Sequence, residues 1–395
     1  MDNIVSKHAG GLAKDTALDR RDDGCFHGGA FFEAVGEGFD DLHRRHGVIN
    51  ADVLDAWFPP APSVIETLTD HLPWLARTSP PTHSAGLLEA IGRVRGVPQE
   101  CILPGAGSSD LIFLALREWL TPDSRVLMLD PSYGEYSHIC EKVIGCHVDR
   151  IRLERPLGYR VDLDLLTERS KENYQLVVLI NPNNPSGQHI ERDDLERVLT
   201  QLPAGTRCWL DEAYVEYAGT DQSLEEFAAA SSNVFVCKSL SKVYALSGMR
   251  AAYLVGNNEV VAQLRKLMPP WAVSLPAQVA AVRALEETEY YAARHLETHR
   301  LREQLIEGIE ALCPEGKVIS GVGNWVLWYP PSSAAVTASE IIRCCRSRGL
   351  FLRGFADAER EPGVDAVRIS VKDAETQEHI VEVLAWALGQ EQFLS

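Results

Sequence analysis

Val234-Phe235-Val236-Cys237-Lys238-Ser239-Leu240-Ser241-Lys242-Val243-Tyr244-Ala245-Leu246-Ser247-Gly248-Met249-Arg250 begins as an apolar run and breaks into hydroxyls, a lysine and, eight residues later, an arginine. The run reads as a buried strand whose end carries Lys242. A lysine held at a strand end among positive neighbours is disfavoured as ammonium, and its free amine can condense with an aldehyde. Ser239, Ser241 and Arg250 then form a pocket suited to a phosphate attached to that aldehyde.

Three further apolar runs lie upstream. Arg125-Val126-Leu127-Met128-Leu129 ends in Asp130-Pro131-Ser132-Tyr133-Gly134. Leu176-Val177-Val178-Leu179-Ile180 ends in the turn-forming Asn181-Pro182-Asn183-Asn184-Pro185-Ser186-Gly187. Cys208-Trp209-Leu210 ends in Asp211-Glu212-Ala213-Tyr214. Continuous β-branched runs of this length read as strands buried on both faces, as in a parallel sheet. In an open α/β sheet, ligands lie outside the carboxyl ends of the strands. Tyr133, Asn184, Asp211 and Lys242 all follow such ends, so the sequence predicts that they converge on one ligand.

Their chemistry fits pyridoxal phosphate. Asp211 against the pyridine nitrogen keeps it protonated, so that the ring acts as an electron sink. Asn184 and Tyr214 are donors for the phenolic oxygen, and Tyr133 offers a face for stacking. Gly105-Ala106-Gly107-Ser108-Ser109-Asp110 opens the apolar run Leu111–Leu116, a glycine turn at a helix N-terminus, where free N–H groups receive phosphate. A dinucleotide fingerprint is the weaker reading of that turn, because Asp110 stands where its third glycine belongs.

The chain resembles the fold-type I pyridoxal-phosphate enzymes of the aspartate aminotransferase superfamily, most of all histidinol-phosphate aminotransferases and threonine-phosphate decarboxylases. The motifs are Asn184-Pro185-Ser186-Gly187, Asp211-Glu212-Ala213-Tyr214, Ser239-Leu240-Ser241-Lys242 with Arg250, and Val367-Arg368-Ile369-Ser370, spread over roughly residues 48 to 385. The resemblance implies a large domain with a mostly parallel, doubly wound seven-stranded sheet and a smaller α+β domain. It also implies a homodimer, Lys242 forming the internal aldimine and shuttling the Cα proton, and Arg368 gripping the substrate α-carboxylate through a two-pronged guanidinium. Arg353 matches a family position near the substrate's distal group, with a surface salt bridge as the equal alternative. Where the family carries an Asn-Glu-Asn-Pro-like motif, this chain reads Asn50-Ala51-Asp52-Val53-Leu54-Asp55-Ala56-Trp57-Phe58-Pro59. Where a family tyrosine reaches the partner's phosphate, it reads Arg77-Thr78-Ser79-Pro80-Pro81-Thr82-His83. Both departures fall in regions that shape the substrate pocket.

The expected organisation is an N-terminal arm with part of the small domain (1–62), a large cofactor-binding domain (63–280) and a C-terminal small domain (281–395). The polar segment to about residue 25 reads as a mobile arm. Gly28-Gly29-Ala30-Phe31-Phe32 reads either as a flap across the site or as a hydrophobic anchor. A helical stretch is expected from Gln278 to Cys313, and an amphipathic helix from about Ala374. His43 and His46, and His295 and His299, have helical spacing but read as solvated helix faces rather than metal ligands. Cys344-Cys345 reads as helix packing.

At 395 residues and 45% hydrophobic content the chain can bury a large core. Its 38 basic and 56 acidic residues give a net charge of −18, which argues against nucleic acid or anionic membrane as a partner. The apolar runs are short of a membrane span, Met1-Asp2-Asn3 opens no secretory signal, and nine scattered cysteines suggest reduced thiols in a cytoplasm. The expected function is transamination of an α-amino acid or amino-phosphate. The alternative is a decarboxylase, eliminase or cyclase using the same cofactor. A pyridoxal-phosphate-binding regulator is a third possibility, but the segment before the core offers no helix-turn-helix.

Overall fold

The computed structural model describes residues 28–331, 336–356 and 365–389. The arm expected before residue 25 lies outside them. Strand β1 (Ile49–Asn50) precedes the main sheet, which comprises β2 (Ile102–Gly105), β3 (Arg125–Asp130), β4 (His147–Arg152), β5 (Leu176–Ile180), β6 (Arg207–Asp211), β7 (Val234–Ser239) and β8 (Ala252–Val255). Its order is β2-β8-β7-β6-β5-β3-β4. Neighbours are parallel except around β8, which runs antiparallel to β2 and β7. All four apolar runs read from the sequence are strands of this one sheet.

Alternation along those strands divides the core. Val177, Leu179, Cys208, Leu210, Val234 and Val236 face one buried cluster. Val178, Ile180, Trp209, Phe235 and Cys237 face another on the opposite side. A strand buried on both faces needs apolar side chains at every position, which is why these runs lack a polar alternation. Helices cover both faces, among them Ser108–Trp119 packed on the second cluster and Ala85–Arg95 on the first. The chain steps outward from β3 to β4 and then in the other direction from β5 to β7. The β3 and β5 ends therefore flank the switch point, where the sheet leaves a crevice.

Strands β9 (Lys317–Ser320), β10 (Trp325–Tyr329), β12 (Arg353–Ala356) and β13 (Asp365–Ser370) form an antiparallel sheet ordered β12-β13-β10-β9. The short β11 (Leu350–Phe351) pairs in parallel with β1. Helices Ala338–Ser347 and Ala374–Ala387 pack on this layer, and Cys345 is buried there, as expected of a packing residue. The stretch expected as helical from Gln278 is two helices, Leu275–Glu286 and Thr288–Leu312, broken at Glu287, whose ψ of 49° leaves the helical region. Among the described residues no helix is long and apolar enough to cross a membrane.

Candidate active site

Lys242 sits in a single helical turn, Leu240–Val243, directly after β7. Ser239 begins that turn, and its hydroxyl accepts the Ser241 N–H. The Lys242 ammonium donates to Asp55 Oδ1 at 2.9 Å, and the Ser247 hydroxyl donates to the same oxygen at 2.6 Å. Burial works against the charge on Asp55, but Lys242 and Ser247 outweigh it and hold the carboxyl below its ordinary range. Lys372 belongs to the same environment, and burial lowers it to about 8.

Asp211 ends β6 and is 5% exposed. Its carboxylate accepts the Tyr136 hydroxyl at 2.7 Å and the Ala213 N–H at 3.0 Å. Burial still pushes it up to about 6. A protonated ring nitrogen set against it would favour the carboxylate, so this donor set fits pyridoxal phosphate. Tyr133 follows β3 and meets Tyr136 edge-on at 6.1 Å. Tyr214 is buried edge-on against Trp325.

The glycine turn also fits. Gly107, with φ +92°, precedes the helix opened by Ser108 and Ser109, and Asp110 Oδ2 staples the turn through the Ala106 N–H at 2.9 Å. A Cβ on Gly107 would stand 2.2 Å from Arg250 Nη2. Arg250 thus lies across a helix N-terminus, with its Nη1 3.4 Å from Ser241 Oγ. Helix N-terminus, hydroxyls and a guanidinium are thus gathered where a phosphate could be received.

Arg368, on β13, donates from Nη1 to Asn184 Oδ1 at 2.8 Å and from Nη2 to the Asp52 carbonyl at 2.9 Å. Its Nε is buried without a hydrogen-bond partner. Burial, with Arg353 adding, lowers Arg368 to about 10, the signature of a cation that an incoming anion would stabilise. Arg353 does form a salt bridge, but not at the surface: its Nε stands 3.1 Å from Asp52 Oδ1, and the Asp52 side chain is 4% exposed.

The candidate cofactor residues therefore follow strand ends at one end of the main sheet, and Arg353 and Arg368 lie on the paired strands β12 and β13 of the smaller one. Asp55, Ser247, Tyr136, Asp52 and Lys372 were not foreseen. The departure at Asn50–Pro59 from the family motif was the signal available for Asp52 and Asp55. The histidine reading needs correction. His43 and His46 are exposed, but His295 and His299 turn inward, with Nε2 against the Val243 and Tyr217 carbonyls at 2.9 and 2.8 Å. With main-chain partners, His295 is a buried polar residue and His299 a half-buried one rather than a solvated face. Among the described residues no three His, Cys, Asp or Glu side chains gather to hold a metal.

A buried carboxylate for a ring nitrogen, a strand-end lysine and a phosphate cradle on a doubly wound sheet define a fold-type I pyridoxal-phosphate enzyme. The aminotransferase class I and II family model matches residues 54–384, and the chain belongs to that family. It is a pyridoxal-phosphate-dependent transaminase. A histidinol-phosphate aminotransferase from Roseiflexus castenholzii is 30% identical over 342 residues, 85% of this chain and 89% of that one. Two solved structures share the fold. The histidinol-phosphate aminotransferase of Clostridium acetobutylicum has a TM-score of 0.76 at 21% identity, covering 87% of this chain and 99% of its own. The L-threonine-O-3-phosphate decarboxylase of Porphyromonas gingivalis has a TM-score of 0.74 at 20% identity, covering 87% and 100%.

Proposed function

We propose that the enzyme transfers the amino group of an α-amino acid or amino-phosphate, with Lys242 as both the cofactor's attachment point and the base at Cα. The observation that carries this reading is that one short segment holds both groups: Asp55 accepts from Lys242 at 2.9 Å, and the Asp52 carbonyl accepts from Arg368 at 2.9 Å. We take carboxylate clamp, ring partner and base to border one space. Bound there, pyridoxal phosphate supplies an electron sink for the Cα carbanion.

The protein's own groups do the rest. Gly107, Ser108, Ser109, Ser239, Ser241 and Arg250 would hold the phosphate, Tyr133 would pack on the ring, and Asn184 and Tyr214 would donate to its phenolic oxygen. Asn184 accepts from Arg368 through its Oδ1, which leaves its amide hydrogens to donate. Arg368 orients the α-carboxylate with a pair of parallel N–H donors. Lys242 Nζ, held by Asp55 at 2.9 Å, would be the base that carries the Cα proton.

Decarboxylation is the rival reading. It would make the α-carboxylate the leaving group, whereas Arg368, braced by Asn184 and Asp52, is placed to hold that carboxylate as a fixed handle. The relatives' names support an amino-phosphate or amino-acid donor. We also take the chain to act as a homodimer in which Thr78–His83 reaches the neighbouring site, with the divisions 1–62, 63–280 and 281–395 as its domains. A cytoplasmic setting accords with the eight described cysteines, all of them free.

A panel of amino donors tests the reading. With the cognate donor the cofactor's visible absorbance should be lost, then return on adding a keto acid. Release of carbon dioxide or ammonia with the absorbance retained would show that the rival chemistry is right.

A further inference from the structure

Register in the smaller sheet sets Arg353 opposite Arg368 as cross-strand partners, so their side chains rise from the same face. Two guanidiniums side by side repel, and Asp52 stands at both. Its carbonyl accepts from Arg368 Nη2 at 2.9 Å, while its carboxyl lies 3.1 Å from Arg353 Nε. Burial raises the Asp52 carboxyl, and Arg353 and then Arg368 pull it back. Gly28 closes over the pair. A Cβ there would sit 3.0 Å from Asp52 Oδ2 and 3.3 Å from Arg353 Nη2. Three segments far apart in sequence thus meet at the Asp52–Arg353 pair, next to the arginine assigned to the α-carboxylate.

We propose that Asp52 is a specificity-determining residue. By pairing with Arg353 beneath Gly28, it leaves Arg368 to the α-carboxylate and sets the distal end of the pocket against a second anion. The donor is then an α-amino acid whose distal group carries no negative charge, not a phosphate- or dicarboxylate-bearing one. A distal phosphate or carboxylate brought to Arg353 would face the Asp52 carboxylate, and such like-charge contacts discriminate between partners as effectively as attractive ones. The inference rests on the assignment of Arg368 to the α-carboxylate. It decides between the two donor classes left open above.

The test compares the cofactor-loaded protein with its Asp52→Asn variant on donors that differ by one anion: glutamine against glutamate, and threonine against O-phosphothreonine. Dissociation constants come from the change in cofactor absorbance. A second arm uses cofactor-free protein. Arg353 is modified with phenylglyoxal with and without inorganic phosphate, and the modified arginine is located by peptide mass.

The unmodified protein should bind the uncharged member of each pair more tightly. Asp52→Asn should shift the ratio toward the anionic member by roughly tenfold or more. Phosphate should protect Arg353 in the variant and not in the parent. A parent that prefers the anionic member, or equal protection in both proteins, would overturn the proposal, and the parent's preference is readable even if the variant does not fold. If no amino donor changes the absorbance of either protein, the transaminase assignment of the site fails instead, and the phenylglyoxal arm still decides the role of Asp52.

Discussion

Arg368→Leu removes a guanidinium with five N–H donors, of which the protein engages one on Nη1, with Asn184, and one on Nη2, with Asp52. The buried, unpartnered Nε and the remaining Nη hydrogens are left for a carboxylate. Two charge-assisted bonds at about 1.5–3 kcal/mol each would be lost, together about 3–6 kcal/mol, or roughly two to four orders of magnitude in kcat/KM. The variant also strands Asn184 Oδ1 and the Asp52 carbonyl, at about 1–3 kcal/mol of stability each, so Arg368→Lys is the control that keeps a donor and a charge. The assay measures dissociation constants by absorbance for a carboxylate donor and for the matching amine without the carboxylate. Only the carboxylate donor should weaken. Burial lowers Arg368, but a guanidinium keeps its charge throughout the accessible range, so carboxylate binding should show no loss attributable to Arg368 between about pH 6 and 9. Equal losses for both donors, or unchanged affinity for the carboxylate donor, would refute the assignment.

Four further outcomes are expected. Borohydride reduction of the loaded enzyme followed by peptide mapping should place the pyridoxyl group on Lys242. A label on Lys238, which is 1% exposed and ion-paired to Glu216 at 2.9 Å, would overturn the reading. Asp211→Asn should preserve the fold while turnover falls by roughly a hundredfold or more, because a fixed charge aimed at the reacting system is removed; near-normal turnover would exclude Asp211. Gly107→Ala should push Arg250 from its place and cost about 1–3 kcal/mol of backbone strain, visible as faster cofactor loss on dilution. Unaltered retention would count against the cradle. Lys238→Met should lower stability by about 3–5 kcal/mol in denaturant unfolding, since it leaves buried carboxylates without a partner cation; a loss below about 1 kcal/mol would contradict that.

The sheet and its ligand end were readable from sequence because both are local. Val234–Cys237 and Leu176–Ile180 are continuous apolar runs that stop at hydroxyls or at Asn-Pro turns, and chain reversal at those points is dictated by the residues themselves. What was not readable depends on partners distant in sequence. Asp55 meets Lys242 across 187 residues, and the Asp52 carbonyl meets Arg368 across 316. Tyr136 reaches Asp211 across 75. His295 and His299 bond to main-chain carbonyls, which carry no side-chain signature. The dipeptide Glu286-Glu287 gives no helix stop of the glycine or proline kind, so the break between the two long helices was invisible.

One buried cluster connects these local and distant levels. Glu212 follows Asp211 at the end of β6, and Lys238 lies four residues before Lys242 on β7. Lys238 Nζ stands 3.5 Å from Glu212 and 2.9 Å from Glu216, and Arg95 stands 2.7 Å from Glu216 and 3.7 Å from Glu225. The Ser223 hydroxyl stands 2.5 Å from Glu212 Oε2 and 3.0 Å from Glu225 Oε2, and the Tyr253 hydroxyl donates to Glu225. Burial pushes Glu212 upward, whereas Lys238 and Arg95 overcome burial at Glu216 and hold it down. Three carboxylates against two cations leave one negative charge in excess, which a proton on Glu212 offsets at low cost. Such a cluster is weak evidence for stability, because desolvation cancels most of the Coulomb gain. Its geometric effect is more telling. It cross-links the ends of β6 and β7, the strands that lead into Asp211 and Lys242, so the neighbours of both candidate residues are tied to each other. Positioning of that kind has to come from a network beneath the site, since Asp211 and Lys242 themselves must remain available to ligand and proton.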